Sequence, residues 1–227
     1  MKKKIVAITQ ARMGSTRLPG KVLKIIGNQT LLELHLIRAQ KSQLISELIL
    51  ATTIESRDDV IIGIAEKMGV QTLRGSECDV LDRYYQAAKK TNADIVVRVT
   101  SDCPLIDPVV MDKVIEAHLK NGADFTSNIV NRTYPDGMDV EVFNFSVLEK
   151  AWKEAQDLSD REHVTYYMWK NSNGNGRNIF TSFDVLSGMG SDYYNIRLTV
   201  DYDEDYLKVK SLVETLGPSC GWQEYCK

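Results

Sequence analysis

A basic, glycine-containing segment at positions 10–21 directly follows the first apolar run of the chain. Its cations are Arg12, Arg17 and Lys21, and the small residues among them are Gly14, Ser15, Thr16 and Gly20. Glycine lets backbone amides approach a ligand closely, and amides combined with cations bind the oxygens of a polyphosphate. The spacing matches neither the G-x-x-x-x-G-K-[ST] loop nor the G-x-G-x-x-G fingerprint. Charge and glycine content alone leave two interpretations open, a phosphate-binding loop and a solvated basic loop.

Two aspartates stand directly after apolar runs that are typical of strands. Asp102 follows the run at 93–100, and Asp201 follows the run at 196–200. A single aspartate after a strand is more often a helix cap or a turn former. The ends of parallel strands, however, meet at one edge of a sheet, and Mg²⁺ takes one or two carboxylates together with substrate phosphates. The pair, next to the basic loop, therefore predicts a Mg²⁺ site formed by both carboxylates.

Strand-like and helix-like segments alternate along most of the chain. The predicted strands are 4–9, 47–53, 70–74, 93–100, 123–127, 138–143 and 196–200. The predicted helices are 30–41, 58–68, 79–90, 108–120, 146–156, 160–170 and 203–216. This order predicts a layered α/β fold with a mostly parallel sheet, in one domain spanning 1–227. The alternation breaks between 124 and 195, which indicates an insertion for the second substrate or for contact between two copies of the chain.

Composition excludes several classes of protein. Hydrophobic residues make up 43% and the net charge is −3, so a general nucleic-acid-binding surface is not expected. No apolar run reaches the roughly 20 residues that span a bilayer, so no membrane association is expected. The four cysteines form no C-x-x-C pair, which favours free thiols in a reducing compartment. We therefore expect a cytoplasmic protein.

Three strings carry a family resemblance over residues 4–210. ARMGSTRLPGKVL at 11–23 resembles the signature loop of the cytidylyltransferases that activate sugar acids, such as the 3-deoxy-manno-octulosonate and acylneuraminate enzymes. SDCPLI at 101–106 and RLTVDYDEDYLKV at 197–209 resemble the family's two aspartate motifs. The resemblance is greatest to the spore-coat polysaccharide F-type subgroup. It implies a Rossmann-like three-layer sandwich of the GT-A-like, nucleotide-diphospho-sugar transferase type.

The resemblance also implies an activity, the transfer of CMP from CTP to a sugar acid or sugar-phosphate-like acceptor in surface polysaccharide synthesis. Pyrophosphate is released, and Mg²⁺ is the cofactor. The implied catalytic residues are Arg12, Arg17, Lys21 and Asp102, and the implied metal ligands are Asp102 and Asp201. The implied nucleotide-binding residues are Ala11, Arg12, Met13, Gly14, Ser15, Arg17, Lys21, Arg74, Ser76, Arg83 and Asp102. The segment around 74–83 departs from the Ser-Gly-Thr pattern of the sugar-acid enzymes.

Acceptor residues are implied at two places. Asp136 lies in a Pro-Asp-Gly turn, and Asp139 and Glu141 follow it at period-two spacing. Two acids on one face would otherwise indicate a solvated strand face. Arg161 and His163 lie in an Arg-Glu-His-Val-Thr string that resembles the subgroup, and the alternative is a surface helix turn with local pairing.

Two rival functions remain at this point. Asp201-Tyr202-Asp203 matches the Asp-x-Asp letters of a GT-A glycosyltransferase that uses a nucleotide sugar, although its position in the chain is late. A non-catalytic nucleotide-binding protein is the other. Because sugar-acid relatives dimerise through an inserted segment, the resemblance also suggests a homodimer through 124–195.

Overall fold

The computed structural model describes residues 3–189 and 193–227. Its strands are β1 (Ile5–Gln10), β2 (Ile25–Ile26), β3 (Gln29–Thr30), β4 (Glu47–Thr53), β5 (Gln71–Gly75), β6 (Ile95–Thr100), β7 (Phe125–Ser127), β8 (Glu141–Asn144) and β9 (Ser182–Asp184). Its α-helices are α1 (Leu31–Ala39), α2 (Asp59–Lys67), α3 (Val80–Lys90), α4 (Pro108–Asn121), α5 (Phe145–Glu154), α6 (Leu158–Glu162), α7 (Tyr166–Lys170) and α8 (Asp203–Leu216). Short 3₁₀ turns occur at Lys21–Leu23, Ser56–Asp58 and Asn173–Asn175.

The main sheet has seven strands in the order β5-β4-β1-β6-β8-β7-β9. β5, β4, β1 and β6 run parallel, and β8 is antiparallel to both of its neighbours. Successive residues of β1 enter different cores, because Ile5 and Ala7 pack on one face while Val6 and Ile8 pack on the other. Helices α1, α2, α4 and α8 cover the first face, and α3, α5 and α7 cover the second. The predicted three-layer α/β sandwich with a mostly parallel sheet is confirmed.

Local signals in the sequence account for most element ends. Thr30 caps α1 through a reciprocal capping box with Glu33. Pro108 opens α4 after Asp107, whose side chain accepts the Val109 N–H at 2.8 Å. Acids occupy the first turn of α8, where they complement the helix dipole, and Asp205 accepts the N–H groups of positions 201 and 202.

The predicted strand at 196–200 is wrong, although the segment lies beside the sheet. Arg197 makes one isolated bridge with Asp136, and the Asp136 carbonyl accepts the N–H groups of both Leu198 and Thr199. The Val200 N–H then donates to the Asp102 carbonyl at 2.8 Å. The backbone hydrogen bonds go to separate loops, so no ladder forms.

The predicted single helix at 160–170 is also wrong, because it divides into α6 and α7. Val164 has a left-handed φ of 52° and is fully buried, which is unusual for a β-branched residue. The segment at 124–195 supplies β7, β8 and β9 to the main sheet, and its positions 190–192 lie outside the described residues. β8 begins at Glu141 instead of at position 138, so Asp139 precedes the strand.

The residues after α8 pack back onto the domain. The Arg38 guanidinium, which is 2% exposed, donates to the carbonyls of Pro218 and Cys220 at 2.8 and 3.0 Å. The Trp222 N–H donates to Asp107 Oδ2 at 2.9 Å. All four cysteines are free thiols. Within the part of the chain that the structure describes, no helix is both long and apolar enough to cross a membrane.

Candidate active site

The loop after β1 is closed against its neighbours at the carboxyl end of the sheet. The Met13 N–H donates to Asp58 Oδ1 at 2.7 Å, and Asp58 is fully buried. Gly20 has a φ of 67°, and its N–H donates to the Met13 carbonyl at 3.2 Å. A Cβ atom at Gly14 would lie 2.6 Å from Glu77 Oε1, so the loop backbone runs tightly against the β5–α3 connection. This fixes the course of the loop while its basic side chains line a cavity.

The Lys21 ammonium joins the two carboxylates that the sequence assigned to a metal. Its Nζ donates to Asp102 Oδ2 at 3.2 Å and to Asp201 Oδ1 at 3.1 Å. A third bond goes to the Val200 carbonyl at 2.9 Å, and Lys21 is 9% exposed. Burial raises the pKa of Asp102, but the charge of Lys21 and hydrogen bonds from Thr100 and Lys21 outweigh it, so that this pKa lies below its ordinary value. Asp102 is therefore ionised at neutral pH.

Arg12 and Arg17 are the exposed cations of this loop. Arg17 Nη2 donates to Asp201 Oδ1 at 2.9 Å, and the guanidinium lies 5.4 Å from the Tyr202 ring centroid. Arg12 Nη1 lies 3.5 Å from Glu77 Oε1. The Arg17 side chain is 53% exposed and the Arg12 side chain is 39% exposed. These ion pairs are therefore weak, and either guanidinium can turn to a ligand.

A cavity of about 370 Å³ opens in front of this loop and is called the nucleotide cavity below. The predicted nucleotide residues on its wall are Ala11, Arg12, Ser15, Arg17, Lys21, Arg83 and Asp102. Met13 and Gly14 instead hold the loop backbone against Asp58 and Glu77.

Arg83 is the buried cation of the nucleotide cavity. It is 2% exposed, and across residues 3–189 and 193–227 its Nε and Nη1 atoms have no hydrogen-bond partner. Burial lowers the pKa of this guanidinium. Buried donors are nearly always satisfied, so these two N–H groups are exceptions that a bound water or ligand would satisfy.

Arg74 and Ser76 lie away from that wall. Arg74 donates to the carbonyls of Thr53 and Glu55 at 2.8 and 3.0 Å and pairs with Asp59 at 2.8 Å. Its guanidinium therefore binds the β4–α2 connection. Ser76 is exposed on the β5–α3 connection. The structure brings Arg83, but neither of these two, to the nucleotide cavity.

A second cavity of about 230 Å³ lies on the other side of Asp102 and is called the acceptor cavity. Its carboxylates are Asp102, Asp136, Asp139, Glu141 and Asp201. All three acids predicted for acceptor binding are therefore brought together beside the predicted metal carboxylates. Burial and the nearby Asp139 carboxylate raise the pKa of Asp136, and the neighbouring arginines only partly oppose this.

Three arginines that the sequence did not single out hold these acids. Arg98 and Glu141 are directly opposite in the β6–β8 pairing and form a buried ion pair. Arg132 donates twice to Asp139, at 2.6 and 2.9 Å. Arg197 Nη1 donates to Asp136 Oδ2 at 2.7 Å. The sequence held one local signal for these partners, namely Arg98 inside the apolar run of β6. A charged residue in a buried strand needs a buried partner of opposite charge.

Arg161 and His163 are separated by the structure. The Arg161 guanidinium binds both oxygens of Asp79, the cap of α3, and the Trp152 carbonyl at 2.7 Å. Its position thus favours the local-pairing alternative over acceptor binding. His163 lies on the wall of the nucleotide cavity and also on that of a third, more apolar cavity of about 390 Å³.

The donor set between the cavities suits a hard divalent cation. Asp102 and Asp201 are both within hydrogen-bond distance of one ammonium and offer hard carboxylate oxygens. Mg²⁺ typically binds one or two carboxylates, water and substrate phosphates. Among the described residues, no group of three or more His, Cys, Asp or Glu side chains could hold a metal. A Mg²⁺ ion at this place would therefore share its coordination with a bound triphosphate.

Comparison with known proteins agrees with the resemblance in the sequence motifs. A family model described as Cytidylyltransferase matches residues 6–214. The chain is 36% identical to the spore coat polysaccharide biosynthesis protein SpsF of Bacillus subtilis over 222 residues, covering 94% of this chain and 88% of that protein. It is 42% identical over 205 residues to a Methanocaldococcus jannaschii protein named Uncharacterized protein MJ1063, covering 89% and 80% of the two chains.

A solved structure shows the same fold over nearly the full length. It is a cytidylyltransferase from Leptospira borgpetersenii, with a TM-score of 0.92 and 37% sequence identity. The alignment covers 99% of this chain and 93% of that one. The family match, the relatives and this structure confirm the resemblance and the fold that it implied. The chain belongs to the cytidylyltransferase family.

Proposed function

We propose that this protein transfers CMP from CTP to an oxygen of a sugar-like acceptor and releases pyrophosphate, in the synthesis of a surface polysaccharide precursor. The observation that carries the proposal is the pair of cavities that meet at Asp102. One is lined by Arg12, Arg17, Lys21 and Arg83, and the other is lined by carboxylates. A triphosphate and a polar acceptor can therefore meet at one point. The name of the B. subtilis relative supports the polysaccharide pathway.

The basic loop positions the triphosphate. Arg12 and Arg17 are exposed enough to turn onto phosphate oxygens, and Lys21 pairs with Asp102. An acceptor oxygen attacks the α-phosphorus from the acceptor cavity, and the bond from that phosphorus to the bridging oxygen breaks. Pyrophosphate leaves with the electron pair, and the acceptor proton passes to a carboxylate of the acceptor cavity. Positioning and charge stabilisation supply the catalysis, without a covalent intermediate on the protein.

Mg²⁺ is part of the proposal. Asp102 and Asp201 would hold it, and when bound it would neutralise charge on the phosphate oxygens. Lys21 bonds to both carboxylates, so it holds them close to each other.

The geometry disfavours the glycosyltransferase alternative. Asp201 points to Lys21, whereas Asp203 is in the first turn of α8 and pairs with Lys24 at 3.0 Å. The Asp203 side chain is 73% exposed. The two acids of the Asp-x-Asp string therefore serve different neighbours and do not form one metal site.

Pyrophosphate release tests the proposal. The protein is incubated with Mg²⁺, a pool of sugars and sugar derivatives, and CTP, UTP, GTP or ATP in turn. We expect release with CTP, its loss in Asp102→Asn and its retention in the matched control Asp203→Asn. Calorimetric titration with CTP and Mg²⁺ accompanies the assay. Binding of CTP without release would leave a missing acceptor or the non-catalytic nucleotide-binding alternative, and a wider acceptor pool would separate them. Neither binding nor release would refute the proposal.

The setting completes the proposal. We place the protein in the cytoplasm, with CTP and a small acceptor as its partners. The homodimer through 124–195 stays a prediction.

A further inference from the structure

A buried histidine connects the strand that leads into the basic loop with the turn that carries Asp102. His35 of α1 and Thr9 are fully buried, and Cys103 is buried as well. Thr9 is the next-to-last residue of β1, and Cys103 directly follows Asp102. The Nε2 atom of His35 lies 2.9 Å from Thr9 Oγ1, and its Nδ1 atom lies 2.9 Å from the Cys103 carbonyl oxygen. One imidazole therefore bonds to both segments.

The chemistry of the two partners determines which ring nitrogen carries the proton. A carbonyl oxygen only accepts hydrogen bonds, so Nδ1 of His35 carries a proton and donates to Cys103. The ring is neutral at pH 7, because burial lowers its pKa to about 4. Its Nε2 atom then accepts the hydrogen bond of the Thr9 hydroxyl. Both ring nitrogens are satisfied, which holds the imidazole in one orientation.

The Thr9 end of this connection is firmly placed. Thr9 lies in the parallel part of the main sheet, opposite Leu50 of β4 and Val99 of β6. A residue in a buried strand with a neighbour on each side belongs to the most stable part of a fold. The imidazole therefore takes its orientation from the sheet and holds the Cys103 carbonyl in place.

Two side chains of α1 hold the segment that follows β6. His35 donates to the Cys103 carbonyl, and Arg38, three positions later on the same helix face, donates to the Ile106 carbonyl at 2.8 Å. The His35 bond acts on the residue next to Asp102, whereas the Arg38 bond acts further along the segment. His35 is therefore the one of the two that bears on the position of the carboxylate.

A second buried histidine makes similar bonds away from the site. His118 of α4 is buried, and its ring bonds to Thr126 Oγ1 at 3.0 Å and to Asn144 Oδ1 at 3.4 Å. These partners belong to β7 and β8, and none of the three residues lies on the wall of the nucleotide cavity or of the acceptor cavity. His118 thus joins a helix to the sheet in a structural role and provides a matched control for His35.

We infer that His35 is a positioning residue, which sets the Asp102 carboxylate relative to the basic loop through the Cys103 carbonyl and does not itself touch the substrates. The inference rests on the proposed function and adds a residue to its site. The basic loop is held separately, by the bond from the Met13 N–H to Asp58. Loss of the imidazole should therefore displace Asp102 more than it disturbs the binding of CTP.

His35→Leu and His118→Leu test this inference in the full-length protein. Each replaces a buried histidine with an apolar side chain, and urea unfolding shows how much stability each variant loses. We expect His35→Leu alone to lower kcat in the pyrophosphate assay, by about 10- to 100-fold, with little change in the KM for CTP. It should also make amide hydrogen exchange in segment 101–106 about tenfold faster, measured by mass spectrometry without substrates.

Two further variants separate the two bonds of the imidazole. An asparagine amide keeps a donor near the position of Nδ1, so His35→Asn should recover most of the kcat that His35→Leu loses. Thr9→Val removes only the hydroxyl that orients the ring, so it should lower kcat in the same direction by a smaller factor. Thr9→Val also carries the test if His35→Leu does not fold.

The outcomes separate the inference from the proposed function. If the wild type releases no pyrophosphate, the proposed function fails, and hydrogen exchange still decides whether His35 holds the turn. Equal losses of kcat in His35→Leu and His118→Leu would overturn the inference, because both would then follow from lost stability. Unchanged exchange in segment 101–106, or an unchanged kcat in Thr9→Val, would overturn it as well.

Discussion

Gly137 is the position where a single methyl group should disturb the carboxylates of the candidate active site without touching them. Its φ is 112°, a conformation that side-chain-bearing residues rarely adopt. A Cβ atom there would lie 2.7 Å from the Leu198 carbonyl carbon and 2.7 Å from the Thr199 nitrogen. Because both neighbours are backbone atoms, they cannot rotate away. The segment that leads into Asp201 must move instead.

The size of the movement follows from ordinary contact distances. Carbon atoms pack at roughly 3.5–4.0 Å, so Gly137→Ala requires a shift of about 1 Å in one of the two backbones. A displacement of that size at a catalytic group can lower turnover by about 100-fold. The unfavourable φ should also cost roughly 1–3 kcal/mol of folding stability. CTP binding should change much less, because Asp58 independently holds the backbone of the basic loop.

The assay compares turnover in pyrophosphate release with stability in urea for both variant and control. Gly63→Ala is the matched control, because Gly63 lies inside α2 and a Cβ atom there meets nothing within 4 Å. That variant should keep full activity and gain about 0.5–1 kcal/mol. If Gly137→Ala turned over like the wild type while folded, the link from this turn to Asp201 would be refuted.

Three further predictions concern charge. Lys21→Met should lower the free energy of unfolding by about 3 kcal/mol, because two partly buried carboxylates lose their shared cation. Added Mg²⁺ should restore part of this stability, measured by thermal unfolding. If Mg²⁺ had no effect on the variant, a metal site between Asp102 and Asp201 would be contradicted. Burial lowers the pKa of His35 from 6.5 to about 4, so the folded protein disfavours the charged imidazole. The neutral His35 therefore contributes its full share to the free energy of unfolding above pH 6.5, and about 3 kcal/mol of that free energy is lost as the pH falls toward 4. Urea titrations from pH 4.5 to 7 should show that slope in the wild type and a smaller one in His35→Asn. Arg161→Ala should lower stability by about 2 kcal/mol by freeing α6 from Asp79, with KM for the acceptor unchanged; a selective rise in that KM would restore Arg161 to acceptor binding.

Local patterns in the sequence predicted the elements that depend on local chemistry. The strand at 47–53 and the helix at 203–216 match the structure residue for residue, because a short buried run marks the first and an acidic first turn marks the second. The basic loop and Asp102 were placed at strand ends, and both lie on the same cavity wall.

The errors arose where distant residues decide the local structure. The run at 196–200 has the residue types of a strand, but its N–H groups donate to the carbonyls of Asp136 and Asp102 in two loops. The helix at 160–170 is broken by Val164, a valine that nothing in its neighbours marks for a left-handed φ. Asp201 reached its expected place through these loop contacts and not through the predicted strand.

The arginine partners could not be predicted for the same reason. Arg98 and Glu141 are 43 positions apart and meet only because β8 pairs antiparallel to β6. Arg74 and Arg161 carry the same charge as Arg83, yet both donate to groups outside the nucleotide cavity. Arg74 binds a backbone carbonyl, and Arg161 binds a carbonyl and Asp79, the cap of α3. Sequence shows which cations exist, and only packing shows which remain free.

The last ten residues of the chain have a wider consequence than their position suggests. Arg38 and Asp107 both depend on them, and Asp107 ends the loop that begins at Asp102. Cutting the chain after Gly217 would therefore remove two carbonyl partners from a buried guanidinium and one N–H donor from Asp107, and so loosen the loop that leads back to Asp102.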